Sequence, residues 1–185
     1  LVTIPLVLRR NGYIAVSLLG ILYGYGSYAI FNFWLAKFHP LAHIIVPVIY
    51  GAFFLALFPL LKLADDLFPK YGFIIQCVIW LAYEYIRTLG FIGYSYGILG
   101  YTQYLFLPLA RLASVSGVFG VSALVAFPSF YLGRCLVDAK SAGYTIRALV
   151  EAIRQRKIVA LTYCLIFVSA LIFGLAAKTD FSNSR

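Results

Sequence analysis

Of the 185 residues, 63% are hydrophobic and 11% charged, with a mean hydropathy of +0.94, where an ordinary soluble domain is roughly half apolar and about a quarter charged. The apolar residues fall in runs of about twenty, the length a helix needs to cross the hydrocarbon core of a bilayer, which excludes a water-soluble globular domain. The net charge of +9, from 15 Lys and Arg against 6 Asp and Glu, does not point to nucleic acid: the basic residues lie in short segments between apolar runs, with no cationic stripe interleaved with aromatics.

In chain order, the stretch from Leu1 to Leu8 is apolar but too short to span, and Arg9 and Arg10 follow it. A signal peptide has the opposite order, so this stretch is expected to be the remnant of an earlier helix in a longer chain. The first full span is expected over about 13–33, with Gly12, Gly20, Gly24 and Gly26 as small residues that let neighbouring helices approach in lipid. Residues 32–40 mix aromatics, Lys37 and Pro40 as an interfacial connection does. A second span over about 41–63 contains Pro47 and Pro59, tolerated in membranes where neighbours satisfy the freed carbonyls.

Lys62, Asp65, Asp66 and Lys70 are expected to form a plain surface turn ending at Phe68-Pro69, and a third span follows over about 71–89. From 90 to 112 glycines alternate with tyrosines, the pattern of a structured, partly embedded loop packed into the bundle. A fourth span is expected over about 113–136 and a fifth over about 158–177. The connection between them, 134–157, carries six cations against Asp138 and Glu151, and Ile146, Leu149, Val150 and Ile153 recur at helical spacing, as in an amphipathic helix on an anionic membrane surface.

The fold class is therefore all-α, a polytopic transmembrane helix bundle with about five full spans, occupying 1–178 as one domain. Placing the six-cation loop in the cytoplasm fixes the rest by alternation. Arg9 and Arg10 are then inside, the 90–112 loop outside, and Lys178 with the tail 179–185 on the outer face.

Cys77, Cys135 and Cys164 form no C-x-x-C pair and have no ligand-spaced His or carboxylate nearby, so neither a disulfide, a zinc site nor a nucleophile is indicated. His39 and His43 are four apart but separated by Pro40, with no third ligand, and no metal or cofactor is implied. Glu84 and Arg87, at i and i+3 on the outer end of the third span, share a helix face. An ionisable pair there serves either as a brace for the following loop or as part of a functional site. Arg111, at the far end of the loop, either snorkels to the headgroups or converges with Glu84 and Arg87 on a lipid phosphate.

From Glu84 to Ser122 several strings occur in a fixed order: Glu84-Tyr85-Ile86-Arg87, Gly93-Tyr94-Ser95-Tyr96, Leu99-Gly100-Tyr101-Thr102-Gln103, Pro108-Leu109-Ala110-Arg111-Leu112-Ala113-Ser114, and Gly117-Val118-Phe119-Gly120-Val121-Ser122. This stretch resembles the membrane domain of bacterial apolipoprotein N-acyltransferase, departing from its pattern in Tyr85 for Trp and in Tyr94-Ser95-Tyr96 for F-P-W. The resemblance implies an inner-membrane enzyme that moves an acyl chain from a phospholipid to the α-amino group of a diacylglyceryl-cysteine on a lipoprotein. It implies a thioester on a cysteine, with a glutamate and a lysine, in a nitrilase-like domain that these residues do not match.

Under that resemblance Glu84, Arg87, Tyr101, Gln103 and Arg111 are the candidate lipid-headgroup residues, and the chain itself carries no catalytic residue. The expected partners are membrane phospholipid, the apolipoprotein substrate and the nitrilase-like domain. A non-enzymatic lipid-binding or scaffold protein of the same fold, or a small transporter, are the alternatives; a transporter calls for mid-helix charges or paired broken helices, which the sequence lacks.

Overall fold

The computed structural model describes residues 1–91, 93–141, 143 and 145–177, and among them every regular element is helical. The expected tail, Lys178 and 179–185, lies outside the described residues. The helices are α1 (Ile4–Arg10), α2 (Tyr13–Phe31), α3 (Pro40–Leu67), α4 (Gly72–Ile86), α5 (Leu107–Ala110), α6 (Ala113–Ser141), α7 (Ile146–Gln155) and α8 (Lys157–Ala176), with 3₁₀ turns at Phe33–Lys37 and Leu99–Gln103. Four of them, α2, α3, α6 and α8, are long and apolar enough to cross a membrane, which makes this an all-α multi-pass membrane protein.

The fifth apolar helix, α4, has 15 residues, about 22 Å at 1.5 Å per residue and so shorter than the ~30 Å hydrocarbon core. It ends at Ile86 because the chain turns over Thr88 to Gly90, where Gly90 takes φ 75°. By contrast α3, with 28 residues, is about 42 Å long. Pro40 starts it at a position that needs no N–H, and the His39 ring nitrogen Nδ1 accepts from the Leu41 N–H at 3.2 Å.

Because α3 continues to Leu67, Lys62, Asp65 and Asp66 are helical, and the expected plain surface turn is corrected: Lys62 is 9% exposed and Asp65 4%. Asp65 accepts from Arg9 through both carboxylate oxygens and from Arg134 Nη1 at 3.0 Å. Lys62 donates to the Leu8 carbonyl at 3.1 Å and lies 3.5 Å from Asp66, whose other partner is the Tyr13 hydroxyl at 2.8 Å. The sequence shows these charges as neighbours in a turn, but their distant partners stand 53 to 69 positions away.

The chain divides into two compact units, Leu1–Tyr83 with Phe130–Arg134, and Glu84–Ser129 with the described residues of Cys135–Arg185. In the first, α2 and α3 meet through glycine. A Cβ at Gly20 would lie 2.5 Å from the Phe54 carbonyl oxygen, and one at Gly24 would lie 3.0 Å from the Gly51 Cα, so the backbones touch where side chains are missing. Gly12 and Gly26 have open space and take no part. Around this contact Phe54 packs on Tyr23, Phe58, Trp80 and Tyr83 at centroid distances of 5.2–6.1 Å, and the hydroxyls of Tyr28 and Tyr83 are 3.0 Å apart.

In the second unit, Leu109, Val121, Leu124 and Ala170 form a small core. The Tyr163 hydroxyl donates to the Leu124 carbonyl at 2.9 Å while its ring stacks on Phe127 at 5.2 Å. Inside α6 the backbone breaks at Gly117, with φ 66° and ψ 177°, a region that glycine alone occupies without strain.

Removing the Asp65 carboxylate leaves two arginines facing a site built for an anion. Asp65→Ala should therefore lower stability by about 3–5 kcal/mol, whereas the more exposed Asp66→Ala should cost under about 1 kcal/mol. Unfolding free energies of the two variants in one detergent check the difference; equal losses would reject the assignment of Asp65 as the anchor.

Candidate functional site

The segment between α4 and α6 joins two helices through irregular backbone, the Leu99–Gln103 turn and the four-residue α5, and where such backbone is buried it is stable only if its polar groups find protein partners. The last turn of α4 and the residue that follows it supply two of them. Glu84, 1% exposed, accepts the Leu99 N–H on Oε1 at 3.0 Å. One turn on, Arg87, 3% exposed, donates through Nη1 to the Tyr96 carbonyl at 2.7 Å and to the Tyr94 carbonyl at 3.4 Å, while the Arg87 carbonyl accepts from the Tyr94 N–H at 2.8 Å. Their i, i+3 spacing places both on the helix face that the loop covers.

The loop is held from the other side by α6. The Gly100 N–H donates to the buried Ser122 hydroxyl at 2.8 Å, and Gly100 sits so close to Val118 that a Cβ would strike the Val118 carbonyl. Ile98, 2% exposed, fills the space between these anchors. The Leu99–Gln103 turn then leads outward, with the Thr102 hydroxyl donating to the Leu99 carbonyl at 2.7 Å and Gln103 Nε2 to the Thr102 hydroxyl at 2.9 Å.

Arg111 has a different role. Its Nη1 donates to the Gly174 carbonyl at 2.9 Å, in the last turn of α8 where carbonyls lack helical partners. At Gly174 a Cβ would collide with the Pro108 carbonyl, so α5 and α8 are in backbone contact.

Of the five candidate residues, then, Glu84 and Arg87 lie together beneath the loop and Arg111 is engaged with α8. Tyr101 is 50% exposed and Gln103 half-buried, both on the outward turn. Exposed Tyr96, Tyr101, Tyr104, Leu105 and Phe106 make an aromatic and apolar rim over this fixed interior. Sequence reasoning missed Ser122 as an anchor, although it closes the Gly117-Val118-Phe119-Gly120-Val121-Ser122 string; a small hydroxyl residue in an apolar span was the available signal. Cys77 and Cys135 are buried and Cys164 is exposed on α8, and among the described residues no three His, Cys, Asp or Glu side chains gather as metal ligands.

With Ser122→Ala the Gly100 amide loses its acceptor in a buried setting, which should cost about 1–3 kcal/mol, while Ser122→Thr, which keeps the hydroxyl, should cost less. Limited proteolysis at 94–104 together with thermal unfolding reads both. A loop no more susceptible in the alanine variant would reject Ser122 as an anchor.

Residues 1–131 match the family model described as the apolipoprotein N-acyltransferase N-terminal domain. The chain is 37% identical over 180 residues to apolipoprotein N-acyltransferase 1 of Treponema denticola, which covers 97% of this chain and 32% of that protein. It is 41% identical over 120 residues to apolipoprotein N-acyltransferase 1 of Treponema pallidum, covering 65% and 22% respectively. A third relative, from Geobacter metallireducens, is 34% identical over 76 residues, covering 40% and 15%. The chain thus spans about a third or less of the length of the curated relatives it matches. No solved structure matches it.

Proposed function

The chain belongs to the apolipoprotein N-acyltransferase family, and from that premise we propose that it is the membrane portion of an enzyme that transfers an acyl chain from a phospholipid to the N-terminal diacylglyceryl-cysteine of lipoproteins. The single observation that carries the reading is the loop between α4 and α6: non-helical backbone at the end of apolar helices, fixed from both sides by Glu84, Arg87 and Ser122, with an exposed aromatic rim. A fixed loop at the edge of the hydrocarbon can receive a phospholipid sideways, its acyl chains on the apolar rim and its headgroup beside the polar turn.

In this reading Tyr101 and Gln103 touch the headgroup, while Glu84, Arg87 and Arg111 hold the surface that presents them. The acyl transfer itself, in which a thiolate attacks the acyl ester and releases a lysophospholipid, and an amine then attacks the resulting thioester and releases the thiolate, is assigned to the part of such a protein that these residues do not cover. This portion then anchors the nitrilase-like domain and admits lipid. The excess of Lys and Arg between α6 and α8 supports an orientation with that connection on the cytoplasmic face of the inner membrane, the α4–α6 loop outside, the amino end inside and the carboxyl end outside.

The test belongs in the full-length enzyme in lipid. Tyr101→Ala and Gln103→Ala should each lower kcat/KM for acyl transfer by about three- to tenfold, as expected for one lost contact, with folded yield unchanged because both sit on the outward turn. Glu84→Gln weakens the grip on the loop and should lower yield and activity together. Full activity in both Tyr101 and Gln103 variants would overturn the headgroup site, and a full-length protein without transferase activity would favour a lipid-binding scaffold instead.

A further inference from the structure

The proposed reaction leaves α7 without a task, yet its ten residues are the most strongly two-faced stretch of the chain. Its side chains divide into three sectors. Ala152 is buried and Ala148 half-buried, one turn apart, on the face against the protein. Ile146 and Val150, also one turn apart, are 83% and 58% exposed, while Leu149 and Ile153 between them and the alanines are half-buried. Arg147, Glu151 and Arg154 are exposed on the third side. Small residues against protein, branched apolar residues bare, and arginines beside them are the arrangement of a helix lying in a membrane interface.

The neighbourhood has the same sign. Lys140 and Lys157 flank the helix, and Arg156 at its end is paired with Asp138 of α6 at 2.6 Å, which fixes where α7 ends and α8 begins. Arg147 and Arg154 face Glu151 alone on their own helix, so a positive balance remains on that face. An arginine fork donates two parallel hydrogen bonds to a phosphate, and a bare isoleucine and valine need hydrocarbon. Water satisfies only the first, and a soluble acidic protein only part of the second.

We propose that α7 is a docking face for anionic phospholipid: Ile146 and Val150 enter the acyl region, and Arg147 and Arg154 hold the phosphates of acidic headgroups. The site is separate from the α4–α6 loop, and its success or failure does not depend on the acyl-transfer reading. Each basic residue near an anionic membrane surface strengthens binding by about fivefold, so the pair accounts for roughly thirtyfold.

The measurement is amide hydrogen exchange over 146–155 in the full chain, reconstituted in nanodiscs of neutral phosphatidylcholine or of phosphatidylcholine with one third phosphatidylglycerol. Exchange should slow by an order of magnitude in the anionic discs, return toward the neutral rate in high salt, and lose its lipid dependence in the Arg147→Gln/Arg154→Gln variant. Because both arginines are exposed, that variant should unfold at the wild-type temperature, which keeps misfolding distinguishable. Val150→Asp should raise exchange in both disc types. Equal exchange in neutral and anionic discs would overturn the proposal, as would the same slowing by inorganic phosphate in neutral discs, which would mark a free-anion site.

Discussion

A backbone amide or carbonyl buried away from water must find its hydrogen-bond partner within the protein, and the segment between α4 and α6 is built around that demand. Four of its backbone groups are met by side chains on or beside the flanking helices: a carboxylate for the Leu99 amide, a guanidinium for the Tyr94 and Tyr96 carbonyls, a hydroxyl for the Gly100 amide. The same requirement explains why the charged groups are buried here. In water Glu84 and Arg87 would be spent on the surface; beneath this loop they replace the solvent that the backbone lacks. Order in the loop is thus a property of the helices, and the rim that faces outward inherits it.

The two compact units meet this constraint differently. Leu1–Tyr83 with Phe130–Arg134 concentrates its charge at one carboxylate, Asp65, shared by two arginines, and spends its remaining surface on aromatic packing around Phe54. The unit that contains the loop spreads its polar contacts along the chain, ending with Arg111 on the last turn of α8. Two cations on one buried carboxylate resemble a keystone, since removing the carboxylate unbalances both at once. A distributed set loses one contact at a time.

Much of this was legible in the sequence, and the parts that were not share a cause. Apolar run length located α2, α3, α6 and α8, because span length is set by bilayer thickness and needs no knowledge of neighbours. The pairing of Glu84 and Arg87 with the following loop was legible as one of two alternatives, since i, i+3 spacing fixes the shared face but not what covers it. Asp65 was misread as surface because its partners, Arg9 and Arg134, lie 56 and 69 positions away, beyond any local pattern. Arg111 was located but its partner was not: a backbone carbonyl at Gly174 leaves no mark in a sequence, and neither does the Ser122 acceptor for Gly100. The α4–α6 strings nevertheless carried the family, because the residues that anchor a loop must keep fixed spacing along their helices.

The contact between α2 and α3 has a consequence for how such a chain can vary. Most helix pairs are joined by side chains, and side chains can be exchanged: a loss on one helix is made good by a gain on the other. At Gly20 the missing atom faces a backbone carbonyl, and no change on α3 can make room, since backbone is common to all residues; at Gly24 it faces the Phe54 ring at 2.6 Å and the Gly51 Cα at 3.0 Å, so trimming the ring would relieve only part of the clash. Compensating pairs of mutations are closed to Gly20 and narrowed at Gly24 to those that also change Phe54. Lineages of this domain should hold Gly20 and Gly24 while Gly12 and Gly26, with open space around them, drift, so that four glycines alike in one sequence would carry unequal histories.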